Sequence, residues 1–140
     1  MSKTASGTET QVLEFRLEGR RYCVDIGHVD EIVDKEDLTE LPNTPGHVEG
    51  VMDLRATTTT IVNPKAVLEI GGEATGERVI VFESDGERTV GWVIDEVDQV
   101  VRIDADDLDD SVDGESVEGV VRRDDGFVVW VDPATINAKA

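Results

Sequence analysis

With 32 Asp and Glu against 13 Lys and Arg, this 140-residue chain carries a formal charge of −19 at pH 7. Such a surface lacks the basic face that displaces counterions from phosphates, so nucleic acid is excluded as a partner class, and an anionic membrane would repel it. The length suits one compact domain, no run approaches the 18 apolar residues of a membrane span, and the N-terminal residues have no signal-peptide core; the expectation is a soluble cytoplasmic protein with no direct membrane insertion.

The acidity has two readings, a functional patch or a whole surface adapted to a salty (halophilic) cytoplasm. The charges are scattered and only four of the thirteen basic residues are Lys, which favours adaptation. Cys23 is the single cysteine, so an intrachain disulfide is impossible; flanked by Tyr22 and Val24, it reads as a small buried thiol in a reducing compartment.

Residues 1–11 are polar and read as a disordered tail. From Val12 the period is two: Leu13, Phe15 and Leu17 point one way, Val12, Glu14 and Arg16 the other, and after a turn at 18–20 the alternation resumes through Tyr22, Val24 and Ile26. A single turn at 25–29 precedes a strand at 31–33. Pro42, Asn43, Thr44, Pro45 and Gly46 forbid regular structure and suit a rigid exposed loop. A strand begins at His47, and four threonines at 57–60 followed by Ile61 and Val62 favour another. Asn63 and Pro64 present an N-cap followed by proline at the first helical position, predicting a helix over 65–70 closed by Gly71. Residues 71–76 read as a linker. Strands follow at 79–82, 90–94 and 97–103, with a turn at 84–87, an acidic loop at 104–115, a hairpin of 117–121 with 127–131, and a closing helix opened by Asp132 and Pro133.

The chain repeats itself. Val48-Glu49-Gly50-Val51 returns as Val117-Glu118-Gly119-Val120, and Val62-Asn63-Pro64 as Val131-Asp132-Pro133; Val12, Phe15 and Gly19 also meet Val79, Phe82 and Gly86. A repeat this long implies two similarly folded halves, about 12–76 and 77–138 of a domain spanning 12–138. Each half alone would bury only about 60% of its unfolded surface, so the halves are expected to share a core. Short Val-rich strands separated by turns indicate small β-barrels. The halves diverge after Leu54: Arg55 is matched by Asp124 in a turn-forming run.

No catalytic constellation emerges. Gly71 and Gly76 have phosphate-loop spacing, but Glu77 and Arg78 stand where Lys and a hydroxyl are needed. Gly114-Glu115-Ser116 is not a nucleophile elbow. Asp109, Ser111, Asp113 and Gly114 imitate half a calcium loop whose twelfth position is Val120, so the bidentate ligand is missing. His28 and His47 have no Cys or His at ligand spacing. The reading is of a protein that is not an enzyme, with no cofactor.

Val29-Asp30-Glu31-Ile32, the Leu41-Pro42-x-x-Pro45 loop, Gly50-Val51-Met52-Asp53-Leu54-Arg55 and Val90-Gly91-Trp92-Val93-Ile94-Asp95-Glu96-Val97 stand in the order and spacing of the CheW family of chemotaxis coupling proteins. The chain resembles that family over about 12–136. It departs from the pattern after Leu54-Arg55, where the family has Gly and later Pro-Val, and this chain has Ala56 and the threonines. The resemblance implies a mostly β fold of two SH3-like five-stranded barrels around a shared core. It also implies an adaptor joining the histidine kinase CheA to the cytoplasmic tips of methyl-accepting chemoreceptors. By the same resemblance Glu31 and Arg55 lie near each other and bear on partner binding, and Val29, Ile32, Pro42, Asn43, Pro45, Gly50 and Leu54 are further interaction candidates. The alternative is a small β-barrel that binds another protein or a small ligand.

Overall fold

In the computed structural model, which describes residues 9–83, 88–112, 114–123 and 126–140, alternation becomes strands: β1 (Glu9–Leu17), β2 (Arg20–Asp25), β3 (Val29–Asp34), β4 (Val48–Leu54), β5 (Thr57–Val62), β6 (Arg78–Phe82), β7 (Thr89–Ile94), β8 (Glu96–Asp104), β9 (Leu108–Asp109), β10 (Val117–Arg123) and β11 (Gly126–Val131). Two short helices accompany them, α1 (Pro64–Val67) and α2 (Pro133–Asn137). The expected turn at 84–87, the Asp113 position of the acidic loop, and Asp124 and Asp125 lie outside the described residues.

The strands form two sheets, ordered β8-β1-β2-β11-β10-β9 and β3-β6-β7-β5-β4. They are the two SH3-like barrels the resemblance implied, one of them extended to six strands by the two-residue β9. Space does not follow the division into 12–76 and 77–138, because each sheet takes strands from both halves. The β1–β2 hairpin pairs with β8 and, in parallel, with β11, while the β6–β7 hairpin pairs with β3 and, in parallel, with β5. The reason is that the chain leaves each N-terminal hairpin for the other barrel, so neither half closes by itself.

The repeat is nevertheless carried to the level of hydrogen bonds. Gly50 pairs with Ile61 beside a bulge in β4, and Gly119 pairs with Trp130 beside the same bulge in β10. Both glycines have positive φ, 144° and 152°, and a Cβ on either would strike the carbonyl oxygen of a crossing segment, Thr39 or Asp109 respectively. Glycine is required at both places by close approach as well as by conformation.

Three apolar clusters result. Leu13, Phe15 and Tyr22 meet Ile80, Phe82 and Trp92 in the core shared between the sheets. The six-stranded sheet wraps Val12, Cys23, Ile103, Val121, Val128 and Trp130, and the five-stranded sheet wraps Met52, Ile61, Val79, Val81 and Val93. Consequently β1 is buried on both faces: Val12 and Glu14, read from alternation as the opposite face to Leu13, lie inside a barrel.

Two boundaries move. β1 begins at Glu9, where residues 9–11 pair with Arg102, Ile103 and Asp104, so the tail read as 1–11 is a strand from Glu9 onward. The helix expected at 65–70 stops at Val67, although its start is as read: Asn63 Oδ1 accepts from the Lys65 amide at 3.1 Å. Glu69, at φ 58°, already occupies the left-handed conformation assigned to Gly71, so the chain turns away one residue after the C-cap at Leu68.

Candidate protein-interaction site

Glu31 sits on β3 and Arg55 in the turn after β4, and those strands are the two opposite edges of the five-stranded sheet. Arg55 Nη2 nevertheless donates to Glu31 Oε2. Only a sheet curled into a barrel brings its first and last strands within side-chain reach, so the pair closes the barrel from outside. The Arg55 side chain is 68% exposed and that of Glu31 27%. Glu31's hydrogen bond, and then its charge, raises the pKa of Arg55 still further, so the guanidinium is permanently cationic. One of its five N–H donors is used by Glu31; the exposed remainder can receive a second carboxylate or a helix C-terminus.

The turn that presents Arg55 is a two-residue hairpin joining Leu54 to Thr57, with φ 49° at Arg55 and 70° at Ala56. Two consecutive left-handed residues match the twist of the strands and ordinarily call for Asn-Gly. Here Asp53 Oδ1 accepts from the Ala56 amide at 2.9 Å and supports the turn. Asp53 was not singled out from sequence, although an aspartate three residues before a turn amide is a recognisable signal. With alanine where the resemblance implies glycine, the turn is kept and its left-handed strain falls on Ala56.

The other expected residues divide into exposed and structural. Pro42, Asn43 and Pro45 are exposed in an irregular loop, with Asn43 left-handed at φ 62°, Thr44 Oγ1 donating to Leu41 O at 3.3 Å and Leu41 itself 42% exposed. Val29 and Ile32 are half-buried against the shared core, and Leu54 against the five-stranded barrel's own cluster. Gly50 is buried under Thr39, whose backbone exchanges two hydrogen bonds of 2.9 Å with Val51. It shapes the edge from below and presents nothing to a partner. Among the described residues no group of three or more His, Cys, Asp and Glu side chains could hold a metal, and no described helix is long and apolar enough to cross a membrane.

Two barrels fused through one core, with an ion pair exposed on one edge, define a duplicated SH3-like module. Residues 11–140 match the CheW-like domain family, and the chain belongs to that family. It is 27% identical over 128 residues to the chemotaxis protein CheW of Thermotoga maritima, covering 89% of this chain and 85% of the relative. It is 30% identical over 135 residues to the CheW of Treponema pallidum, covering 87% and 78%. Its fold superposes on the crystal structure of the scaffolding protein TtCheW from Thermoanaerobacter tengcongensis with a TM-score of 0.77 at 28% identity, over 88% of both chains.

Proposed function

We propose that this protein is a non-enzymatic cytoplasmic adaptor that couples the cytoplasmic tips of chemoreceptors to the histidine kinase CheA, with the Glu31–Arg55 pair and, at the other end of β4, the 42–46 loop as its partner-binding residues. The observation that carries the reading is the exposed guanidinium of Arg55, held in place by Glu31 while most of its donors still face solvent. A fixed, planar, permanently charged group suits recognition of a carboxylate or a helix end, because little of its freedom remains to be lost on binding. The loop at the opposite end of β4, stiffened by two prolines, offers a separate exposed apolar contact at Leu41.

The test is a charge reversal. Arg55→Glu abolishes receptor-dependent control of the kinase in a reconstituted mixture at molar salt while the melting temperature stays within a few degrees. Glu31→Arg in the same molecule restores part of the coupling by rebuilding the pair. Normal coupling by Arg55→Glu, or unfolding of that variant, removes Arg55 from the interface.

A further inference from the structure

Each sheet must join an edge strand to the hairpin at its far side, and the two do so differently. In the five-stranded sheet the join is external, Glu31 on β3 to Arg55 after β4. Sixty-eight positions later Gln99 on β8 replaces Glu31; it is itself exposed, and its Nε2 reaches inward to donate to Glu14 Oε1 at 3.3 Å. From the other side Arg123, at the end of β10, brings its Nε to 3.4 Å from Glu14 Oε2. Glu14 is 1% exposed, lies on β1 in register with both Gln99 and Cys23, and is thus a carboxylate inside the barrel. Burial, and secondly the charge of Glu14, pushes the Cys23 thiol up to about 12. The matching residues of the five-stranded barrel are Val81 for Glu14 and Leu54 for Arg123, both in its apolar interior.

We propose that Glu14 is a clasp, a positioning residue that ties β8 to the β10–β11 hairpin through Gln99 and Arg123, so that the polar link is centred on a buried carboxylate in one barrel and on an exposed guanidinium in the other. Its consequence for partner choice rests on the reading of the Glu31–Arg55 edge given above; the clasp itself does not, and its test uses no partner.

The shared fold does not need the charge, since Val81 and Leu54 serve at the same places. A buried ion pair costs much when broken and little when replaced whole by apolar side chains. Amide hydrogen exchange of the full chain in molar salt reads the difference strand by strand. Glu14→Val, which strands Arg123, speeds exchange of the β8 amides by about tenfold or more while β3 changes by less than about twofold. Glu14→Gln, keeping a partner for Gln99 but not the charge, falls between. Glu14→Val with Arg123→Leu, which copies the other barrel, returns β8 to within about threefold of the parent. Unchanged β8 exchange in Glu14→Val overturns the clasp. So does equal acceleration of β3 and β8, which would make Glu14 a general core residue. Should Glu14→Val not fold, the paired variant decides: protected β8 supports the clasp and unprotected β8 overturns it.

Discussion

Lys65 and Ala134 occupy the same position in the two short helices, yet Lys65 is 1% exposed and Ala134 faces solvent. Lys65 Nζ donates to Glu18 Oε2 at 2.6 Å and to Glu73 O at 2.9 Å, and stands 3.1 Å from Asp95 Oδ1. Glu18 lies in the β1–β2 turn of the six-stranded sheet and Asp95 where the chain passes from β7 of the five-stranded sheet to β8 of the other, and the Glu18 amide donates to Asp95 Oδ2 at 2.8 Å. The lysine therefore pins α1 to both barrels at once.

Lys65→Met is expected to cost about 3 kcal/mol, the lower end for breaking a buried ion pair because the carboxylates left behind are partly solvated. Ala134→Lys is expected to stay within about 0.5 kcal/mol. Denaturant unfolding in molar salt measures both; a Lys65→Met loss under about 1 kcal/mol would reduce the network to an ordinary surface pair.

Desolvation is the largest influence on Lys65 and opposes its charge, but the hydrogen bonds to Glu18 and Asp95, with their charges, outweigh it and hold its pKa above the usual value. A group whose folded pKa is raised stabilises fully below its unfolded pKa and loses that contribution as pH climbs through the folded one. This lysine therefore supports the fold unchanged up to about pH 10 and is lost only above it.

Cys23 acts earlier on the same side. Its thiol is raised to about 12, first by burial and then by Glu14, against about 8.5 in an unfolded chain. The sign is again a loss with rising pH, amounting to about 2 kcal/mol by pH 10. Cys23→Ala should flatten the fall in stability between pH 8.5 and 10, and a thiol reagent should label the native protein only through unfolding. Rapid native labelling at pH 8 would show that the thiol is not enclosed.

At Ala56 the φ of 70° is one that L-residues adopt at a cost. Ala56→Gly is expected to stabilise by about 0.5–1 kcal/mol, the relief of strain being partly offset by the greater freedom of glycine in the unfolded chain. The midpoint of chemical unfolding reports it. A destabilised variant would mean that the turn opens in solution.

With −19 spread over 140 residues, self-repulsion is weakly screened in dilute buffer and nearly abolished at 1 M, where the Debye length is about 3 Å. The melting temperature is expected to rise steeply from low to molar salt. A flat profile would remove the argument that the whole surface is adapted to salt.

The mostly β class, the duplication and the caps at Asn63 and Asp132 were legible because they depend on neighbours a few residues apart: alternation, a β-branched run, an Asn or Asp before proline. The exposed proline loop was legible for the same reason. The Glu31–Arg55 pairing was reached through family resemblance, since 24 positions separate the two and no local rule links them. Glu14 and Lys65 escaped notice altogether. Glu14 looked like the wet face of an alternating strand and Lys65 like the first turn of a surface helix, and both are buried.

The sequence by itself determined where the chain extends, turns and caps, and that it does so twice, because backbone preference and side-chain period act over a few residues. Only the tertiary structure decided that each N-terminal hairpin joins the other half's strands, that β1 is covered on both faces, and which charges are enclosed. Burial depends on what arrives from the distant half: the carboxylate at Glu14 is enclosed because β8 and β10 close over it, and Arg55 stays in water because its sheet closes around apolar side chains.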